Sequence, residues 1–124
     1  MTKRCVLAAL VLLACAPAVF AQEHRHPVAD MPMHDKFYSR WMRPDMPTQS
    51  CCNKADCYPT EARQIGGRWQ ARRREDGKWM DVPASKIEQN RDSPDGRNHL
   101  CAPPPDREHV YPSGVICFIA GVGG

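Results

Sequence analysis

The cysteines are the residues of this sequence whose type and spacing could do chemistry. Five of them follow the N-terminal apolar segment: Cys51, Cys52, Cys57, Cys101 and Cys117. No C-x2-C pair occurs among them, so neither the usual zinc-ribbon spacing nor a thioredoxin-type redox pair is present. His99 precedes Cys101 by two residues, which leaves a mixed His/Cys zinc site as a competing interpretation. Thiols of a small exported domain are normally paired, so we predict two disulfides and one free cysteine.

The pairing of these cysteines is restricted by geometry. Cys51 and Cys52 are neighbours with Cα atoms about 3.8 Å apart, which is below the range that a disulfide normally spans. The two neighbours therefore have different partners, or one of them is free. Our prediction is that the cluster at 51–57 is tied to Cys101 and Cys117. Each such bridge would close a loop of roughly 45 to 65 residues and contribute about 4 kcal/mol. Five cysteines allow roughly fifteen two-bridge arrangements, so the pattern leaves the identity of the free cysteine open.

A second candidate for chemistry is the segment QEHRHPVADMPMH. It contains three imidazoles and two thioethers, at His24, His26, Met31, Met33 and His34. Imidazole suits Cu(II) and thioether suits Cu(I), so mixed His/Met tracts of exported proteins are candidate copper sites. Cleavage before Gln22 would place His24 third, where the amine, two backbone nitrogens and the imidazole chelate Cu(II). The competing interpretation is a solvated tail, and the protein then needs no cofactor.

The first 21 residues predict export. MTKR carries two positive charges, the apolar run CVLAALVLLA follows, and Val19 and Ala21 are the small residues of a cleavage site before Gln22. This is the pattern of a secretory signal peptide. The letters LLAC at 12–15 also resemble a lipobox, in which Cys15 takes a lipid and anchors the protein. We favour the soluble periplasmic or secreted form over an outer-membrane lipoprotein, because the apolar run continues to Ala21.

The rest of the chain is expected to be a flexible N-terminal arm at 22–33 and a single small disulfide-stapled domain at 34–124. Removal of Lys3 and Arg4 with the leader lowers the formal net charge from +3 to +1. A nearly neutral exported chain gives no reason to expect nucleic acid as a partner. A membrane is expected only if Cys15 is lipidated. Apolar residues are few and 12 of the 124 residues are Pro, so the domain needs disulfides for its stability.

The aromatic run HDKFYSRWM, at 34–42, predicts a short helix that ends before the next proline. Phe37 and Trp41 are four residues apart, as are Tyr38 and Met42. Side chains at this spacing lie on one face of a helix, so we expect them to pack against the domain. A ligand-binding surface is the competing interpretation of this stripe.

The stretch GGRWQARRREDGKWMDV predicts a central hairpin, because Asp76-Gly77 separates two strand-like runs. A two-residue turn there predicts the register Arg74 opposite Trp79, Arg73 opposite Met80, Arg72 opposite Asp81 and Ala71 opposite Val82. One face then carries Trp69, Ala71, Met80 and Val82, with Arg73 among them. On the other face we expect a cation–π contact between Arg74 and Trp79. A three-residue loop would instead shift the register by one and bury Trp79.

Further elements complete a small mostly-β fold. The residues at 57–65 predict a strand that enters the hairpin through Gly66 and Gly67, and ASKIEQN predicts one helical turn. The residues at 90–99 favour turns, and APPPD excludes a helix or a central strand. VICFIA, at 115–120, is the most apolar run after the leader and predicts a core strand that carries the last cysteine. We therefore predict an antiparallel meander with a central hairpin, a short N-terminal helix and disulfide staples.

Four segments together resemble an uncharacterised family of small exported bacterial proteins: HDKFYSRWMRPD, SCCNKADCYPTEAR, the run from GRWQ to NHLC, and VICF. The similarity covers residues 34–118. It combines the cysteine pattern, both Trp positions of the hairpin and the PDGxxHxC run. The resemblance implies export and a single domain, and it brings no catalytic residue to this chain.

No catalytic constellation stands out, because the sequence has no Gly-rich phosphate loop, no GxSxG elbow and no HExxH motif. The arginine run at 72–74 could bind an acidic surface, but neighbouring carboxylates and strand alternation favour a solvated face. The leading hypothesis is a small exported binding or structural domain of the bacterial cell envelope, with its ligand and partner open. The alternative is a periplasmic copper-handling protein that uses the N-terminal arm, and an envelope enzyme ranks third.

Overall fold

A computed structural model describes residues 28–53 and 55–122 of the chain. Outside the described residues lie the predicted signal peptide at 1–21, the lipidation candidate Cys15, and the copper candidates His24 and His26. No helix in the two described ranges is long and apolar enough to span a membrane.

The described part of the chain is mostly β, with short strands in three antiparallel sheets. The strands are β1 (Met42–Arg43), β2 (Met46–Ser50), β3 (Asp56–Thr60), β4 (Ala62–Ile65), β5 (Arg68–Arg72), β6 (Trp79–Asp81), β7 (Asn98–Ala102) and β8 (Cys117–Ile119). The strand orders are β1-β2, β3-β7-β8 and β4-β5-β6. The helical elements are α1 (Met31–Lys36) and 3-10 turns at Val28–Asp30, Tyr38–Arg40, Ala84–Lys86 and Pro105–Val110. The predicted mostly-β class with a short N-terminal helix is confirmed.

The N-terminal helix begins and ends earlier than the aromatic pattern predicts. α1 has Pro32 in its first turn, where the missing N–H would have had no helical partner. The aromatic segment, which we define as residues 37–41, follows the helix, and Phe37, Tyr38 and Trp41 are all buried. Met42 is 37% exposed because the chain is already extended at β1. The packing prediction is therefore confirmed for the three aromatic residues and wrong for Met42.

The central hairpin is present, but its predicted register is wrong by two residues. The observed pairs are Gln70 with Asp81, Ala71 with Met80, and Arg72 with Trp79. The connection is longer than two residues, since the Arg73 N–H donates to the Lys78 carbonyl at 2.8 Å and the Gly77 N–H donates to the Arg73 carbonyl at 2.9 Å. Gly77 adopts a φ of 71°, a conformation that glycine enters without steric cost.

A shift of two residues keeps every side chain of the hairpin on its predicted face. The residues predicted to face the core and found buried are Ala71, Arg73, Met80 and Val82. The cross-strand ring contacts do change. Arg63 lies over the Trp79 ring, 4.0 Å from its centroid, and Arg74 lies over the Tyr58 ring at 4.3 Å. The predicted contact of Arg74 with Trp79 is therefore wrong.

The strand predicted at 57–65 is divided into β3 and β4, which belong to different sheets. The chain leaves the first sheet at Glu61 and enters the second at the next residue. The turn through Gly66 and Gly67 is confirmed, because Ile65 lies opposite Arg68 and both glycines have a positive φ. The helical turn predicted after Pro83 is present as the 3-10 turn Ala84–Lys86.

The sheet β3-β7-β8 is the centre of the domain and separates two buried clusters. Its middle strand includes residues 98 and 99, for which the sequence pattern predicts turns, and residue 102, for which it excludes a central strand. Both predictions are wrong, because pairing with β3 and β8 on both edges outweighs local turn chemistry. Alternation along β7 directs Cys101 toward the aromatic segment and Leu100 toward the hairpin sheet. The core strand predicted at 115–120 is present but shorter, as β8 (Cys117–Ile119), and residues 115–119 are all buried.

Candidate functional site

Two disulfides join the cysteine cluster to the C-terminal half of the domain. Cys51 pairs with Cys117 on β8, and Cys57 on β3 pairs with Cys101 on β7. The predicted ties are thus present, and the two bridges span 66 and 44 residues of sequence. Disulfides persist in oxidising compartments, so they indicate an extracytoplasmic environment for this domain.

Cys52 is the free thiol among the cysteines of the described ranges. Its sulfur lies 2.7 Å from Cys57 Sγ, and the sulfurs of Cys52, Cys57 and Cys101 all lie within 4.8 Å of one another. The Cys52 side chain is half-buried, and this burial, together with the charge of Asp56, raises the pKa of the thiol to about 12. The Cys52 thiol is therefore protonated at neutral pH.

Metal binding by this sulfur cluster depends on its redox state. While Cys57 and Cys101 are bridged, Cys52 is the only thiol of the cluster that can become a thiolate. A single thiolate does not make the multi-ligand site that zinc or copper requires. Reduction of the bridge would supply three thiolates, a donor set that suits Cu(I) or zinc. His99 is not available to such a set, because both of its ring nitrogens have other partners.

A buried hydrogen-bonded relay joins the aromatic segment to β7. Tyr38 Oη lies 2.6 Å from His99 Nδ1, and His99 Nε2 lies 2.7 Å from Asp95 Oδ1. Burial opposes the ionisation of Asp95, but hydrogen bonds from Arg97 and His99 outweigh it and hold the pKa of this carboxyl below its usual range. Burial also lowers the pKa of His99, against the opposing effect of Asp95.

The directions of these pKa shifts indicate which atom donates and which accepts in each hydrogen bond of the relay. The neutral imidazole donates from Nε2–H to the Asp95 carboxylate and accepts the Tyr38 hydroxyl at Nδ1. Burial raises the pKa of Tyr38, which keeps its hydroxyl protonated. Tyr38 and His99 are both fully buried, whereas the Asp95 side chain at the end of the relay is partly exposed. The relay joins the aromatic segment to β7 of the central sheet.

The structure describes three of the five copper candidates of the N-terminal arm. Met31 and His34 lie three residues apart on α1, which places them on one face, and Met31 is 42% exposed. Met33 instead packs against the buried cluster that contains the aromatic segment. Because His24 and His26 lie outside the described residues, the copper site stays a prediction.

The arginine side chains at 72–74 form ion pairs with carboxylates of the same domain. The ion pairs are Arg72–Glu61, Arg73–Asp76, Arg73–Glu108 and Arg74–Asp30, with N···O distances of 2.7 to 3.0 Å. Arg73 lies on the opposite face from its neighbours, as predicted, and is only 2% exposed. Arg72 pairs with Glu61, whereas the predicted register required Asp81. The run therefore does not present three uncompensated charges to an acidic surface.

An apolar groove, which we call the Trp69 groove, opens at one end of the hairpin sheet. Among the residues that line it are Arg68, Trp69, Asp81, Val82, Ala84 and Ile87, and its volume is about 320 Å³. Trp69 is half-buried, with its ring centroid 5.3 Å from that of Phe118. The lining comes from β5, from the end of β6 and from the segment after it. No local sequence pattern marks such a groove, and the sequence did not predict it.

Comparison of the chain with known proteins finds no matching family model, no matching curated protein and no matching solved structure. The resemblance to a family of small exported bacterial proteins therefore stays a prediction.

Proposed function

We propose that the chain is a small exported binding domain of the bacterial cell envelope, periplasmic or secreted. In this proposal the Trp69 groove receives one apolar side chain of an extended peptide. The observation that carries the proposal is the groove itself, an apolar concavity at one end of the hairpin sheet. Export is supported by the leader pattern at 1–21 and by the two disulfides.

The size and chemistry of the groove suit a single side chain. Its volume of about 320 Å³ is at the lower end for small-molecule sites. Trp69 and Ile87 supply apolar walls, and an indole offers a large rigid surface to an aliphatic or aromatic group. Arg68 and Asp81 supply a donor and an acceptor among these walls. They complement the carbonyl and the N–H of a peptide backbone.

Replacing Ala84 with glutamate should weaken peptide binding at least tenfold, because a carboxylate would then lie in an apolar groove. Ala84 lines the groove, is exposed and belongs to neither buried cluster, so the fold should be kept. Binding can be measured by NMR titration of the whole exported domain with the peptide acetyl-Gly-Phe-Gly-amide, following the resonances of Trp69 and Ile87.

The matched control is Ser85→Glu, which adds the same charge at the next exposed residue, outside the lining. This variant should bind the peptide within twofold of the unchanged protein. A second control peptide, acetyl-Gly-Ser-Gly-amide, should bind at least tenfold more weakly. Equal binding of both peptides, or unchanged binding by Ala84→Glu, would exclude the groove as a peptide site.

The second candidate function is copper binding by the N-terminal arm. It is favoured by the placement of Met31 and His34 on one face of α1, with Met31 exposed. His24→Ala in the exported chain should lower the affinity for Cu(II) at least tenfold. Affinity should also fall as pH drops through about 6.5, because a protonated imidazole cannot ligate. Titration against a competing chelator measures both effects.

The control for copper binding is His109→Ala, at an exposed histidine far along the chain. This substitution should leave the Cu(II) affinity unchanged. A dissociation constant weaker than about micromolar that His24→Ala does not alter would leave the arm as a tail.

A further inference from the structure

Three sulfur atoms meet where the turn after β2 lies against the central sheet. Cys57 on β3 is directly opposite Cys101 on β7, and these two residues form the cross-strand disulfide. The thiol of Cys52 approaches the same Cys57 sulfur to 2.7 Å. The sulfurs of Cys52, Cys57 and Cys101 all lie within 4.8 Å of one another, so the Cys52 thiol is in direct contact with the bridge. Cys57 therefore has two cysteines within reach.

The local chain explains why Cys52 reaches this position. The Asn53 N–H donates to the Ser50 carbonyl, and the Cys52 N–H donates to Ser50 Oγ, which together fold the chain into a tight turn after β2. Cys51, in the same turn, is fixed by its bridge to β8. Cys52 is therefore held against the start of β3, although Cys51 and Cys52 are adjacent in sequence.

We propose that Cys57 has two alternative disulfide partners, and that the protein interconverts between a Cys57–Cys101 isomer and a Cys52–Cys57 isomer. Exchange proceeds by attack of a thiolate on a disulfide sulfur. The Cys52 sulfur forms the new bond with Cys57 as the Cys57–Cys101 bond breaks. The electron pair of the broken bond leaves on Cys101, which takes up the proton that Cys52 released. Both isomers have two disulfides and one thiol, so no oxidant or reductant is consumed.

The two isomers differ in what the bridge holds together. In the first, the bridge ties β3 to β7 across 44 residues of sequence. In the second, it closes only the short loop between Cys52 and Cys57, and the fully buried Cys101 becomes the free thiol. The bridge from Cys51 to Cys117 is unchanged, so both isomers keep the tie between the cysteine cluster and β8. Exchange therefore loosens one edge of the central sheet without opening the whole domain.

The rate of exchange depends on the thiolate fraction of Cys52. Burial and the charge of Asp56 raise the pKa of this thiol to about 12. Burial raises the pKa of Tyr38, from the aromatic segment, and the charge of a Cys52 thiolate would raise it further. Tyr38 therefore stays protonated. The isomers should therefore interconvert slowly at neutral pH and faster in alkali. Acid should stop the exchange and preserve the populations for analysis.

The decisive variant is Cys101→Ser, which removes the first partner of Cys57. After air oxidation this protein should contain a Cys52–Cys57 disulfide and no free thiol, as shown by intact mass after alkylation without reduction and by peptide mapping. The matched control is Cys52→Ser, which should retain Cys57–Cys101 and also show no free thiol. A Cys101→Ser protein in which both Cys52 and Cys57 are alkylated would overturn the proposal.

The unchanged protein supplies a second measurement that does not depend on how well a variant folds. It is incubated at low concentration, quenched in acid denaturant, alkylated and mapped at successive times. The label should move from Cys52 toward Cys101, with a rate about a hundredfold higher at about pH 9 than at about pH 7. The rate should not depend on protein concentration, because the exchange is intramolecular. A label that stays on Cys52 alone at both pH values would overturn the proposal.

Discussion

Replacing Cys51 and Cys117 together with alanine should lower the free energy of unfolding by about 4 kcal/mol. Their bridge spans 66 residues, so its loss returns a large conformational entropy to the unfolded chain. Both residues are fully buried, and the lost contacts of their sulfurs add to the effect. Domains of this size are stable by only about 5 to 15 kcal/mol. We therefore expect the melting temperature to fall by about 15 to 30 °C.

Urea and thermal unfolding followed by circular dichroism measure this loss. The matched control is Cys52→Ala, which removes a sulfur from the same turn and leaves both observed bridges in place. This control should change the free energy of unfolding by less than about 1 kcal/mol. If the double variant unfolds at the same urea concentration as Cys52→Ala, the buried clusters hold the fold without help from this disulfide.

The domain should also lose stability as pH falls below about 6.5, the ordinary pKa of histidine. Burial lowers the pKa of His99 in the folded protein, although Asp95 opposes the shift. Between the two pKa values the unfolded chain binds a proton that the folded chain does not. The free energy of unfolding therefore decreases as the pH decreases in this range. This single group contributes at most about 1.4 kcal/mol per pH unit.

Carboxylates contribute to the pH dependence of stability in a separate and more acidic pH range. A hydrogen bond from Arg43 lowers the pKa of Asp45 to about 2, and a hydrogen bond from Arg73 lowers that of Asp76 to about 2. The unfolded value for aspartate is about 3.9, so these groups stabilise the fold above that pH. Their contribution is lost as pH falls through their folded pKa values near 2. The His99 effect should therefore be seen by itself between about pH 6.5 and about pH 4.5.

His99→Gln tests whether His99 causes the loss of stability below about pH 6.5, because glutamine does not titrate in this range. The slope of unfolding free energy against pH should become flatter in the variant, whatever its absolute stability. The control is His109→Gln, at an exposed histidine of the last 3-10 turn, and its slope should match that of the unchanged protein. An unaltered slope in His99→Gln would show that another group causes the acid sensitivity. Urea titrations at a series of pH values provide the slopes.

Several features of this protein were determined by its sequence alone, because local covalent geometry and periodicity are sufficient for them. Adjacent Cys51 and Cys52 cannot bridge each other easily, which excludes one pairing, and the predicted ties of the cluster to Cys101 and Cys117 are observed. Strand side chains alternate, so the pattern around Ala71 and Met80 determined which face of the hairpin is buried. The turn at Gly66 and Gly67 follows from two adjacent glycines, which accept positive φ.

The register of the hairpin and the role of β7 were decided by tertiary structure. A shift by two residues leaves each side chain on its face, so alternation cannot distinguish the two registers. Arg73 is held by Asp76 within the hairpin and by Glu108 from a distant 3-10 turn, and these contacts accompany the longer connection. β7 is a strand because it has a partner on each edge, and that information is absent from its own turn-rich neighbourhood.

The candidate sites depend most strongly on tertiary structure. The Trp69 groove draws its lining from consecutive elements that face each other only after folding. His99 receives the Tyr38 hydroxyl from a residue 61 positions away. The sequence predicted one free cysteine, but only the folded chain places the Cys52 sulfur against the Cys57–Cys101 bridge. These distances are set by the packing of two clusters on opposite faces of one sheet, and such packing leaves no periodic trace in the local sequence.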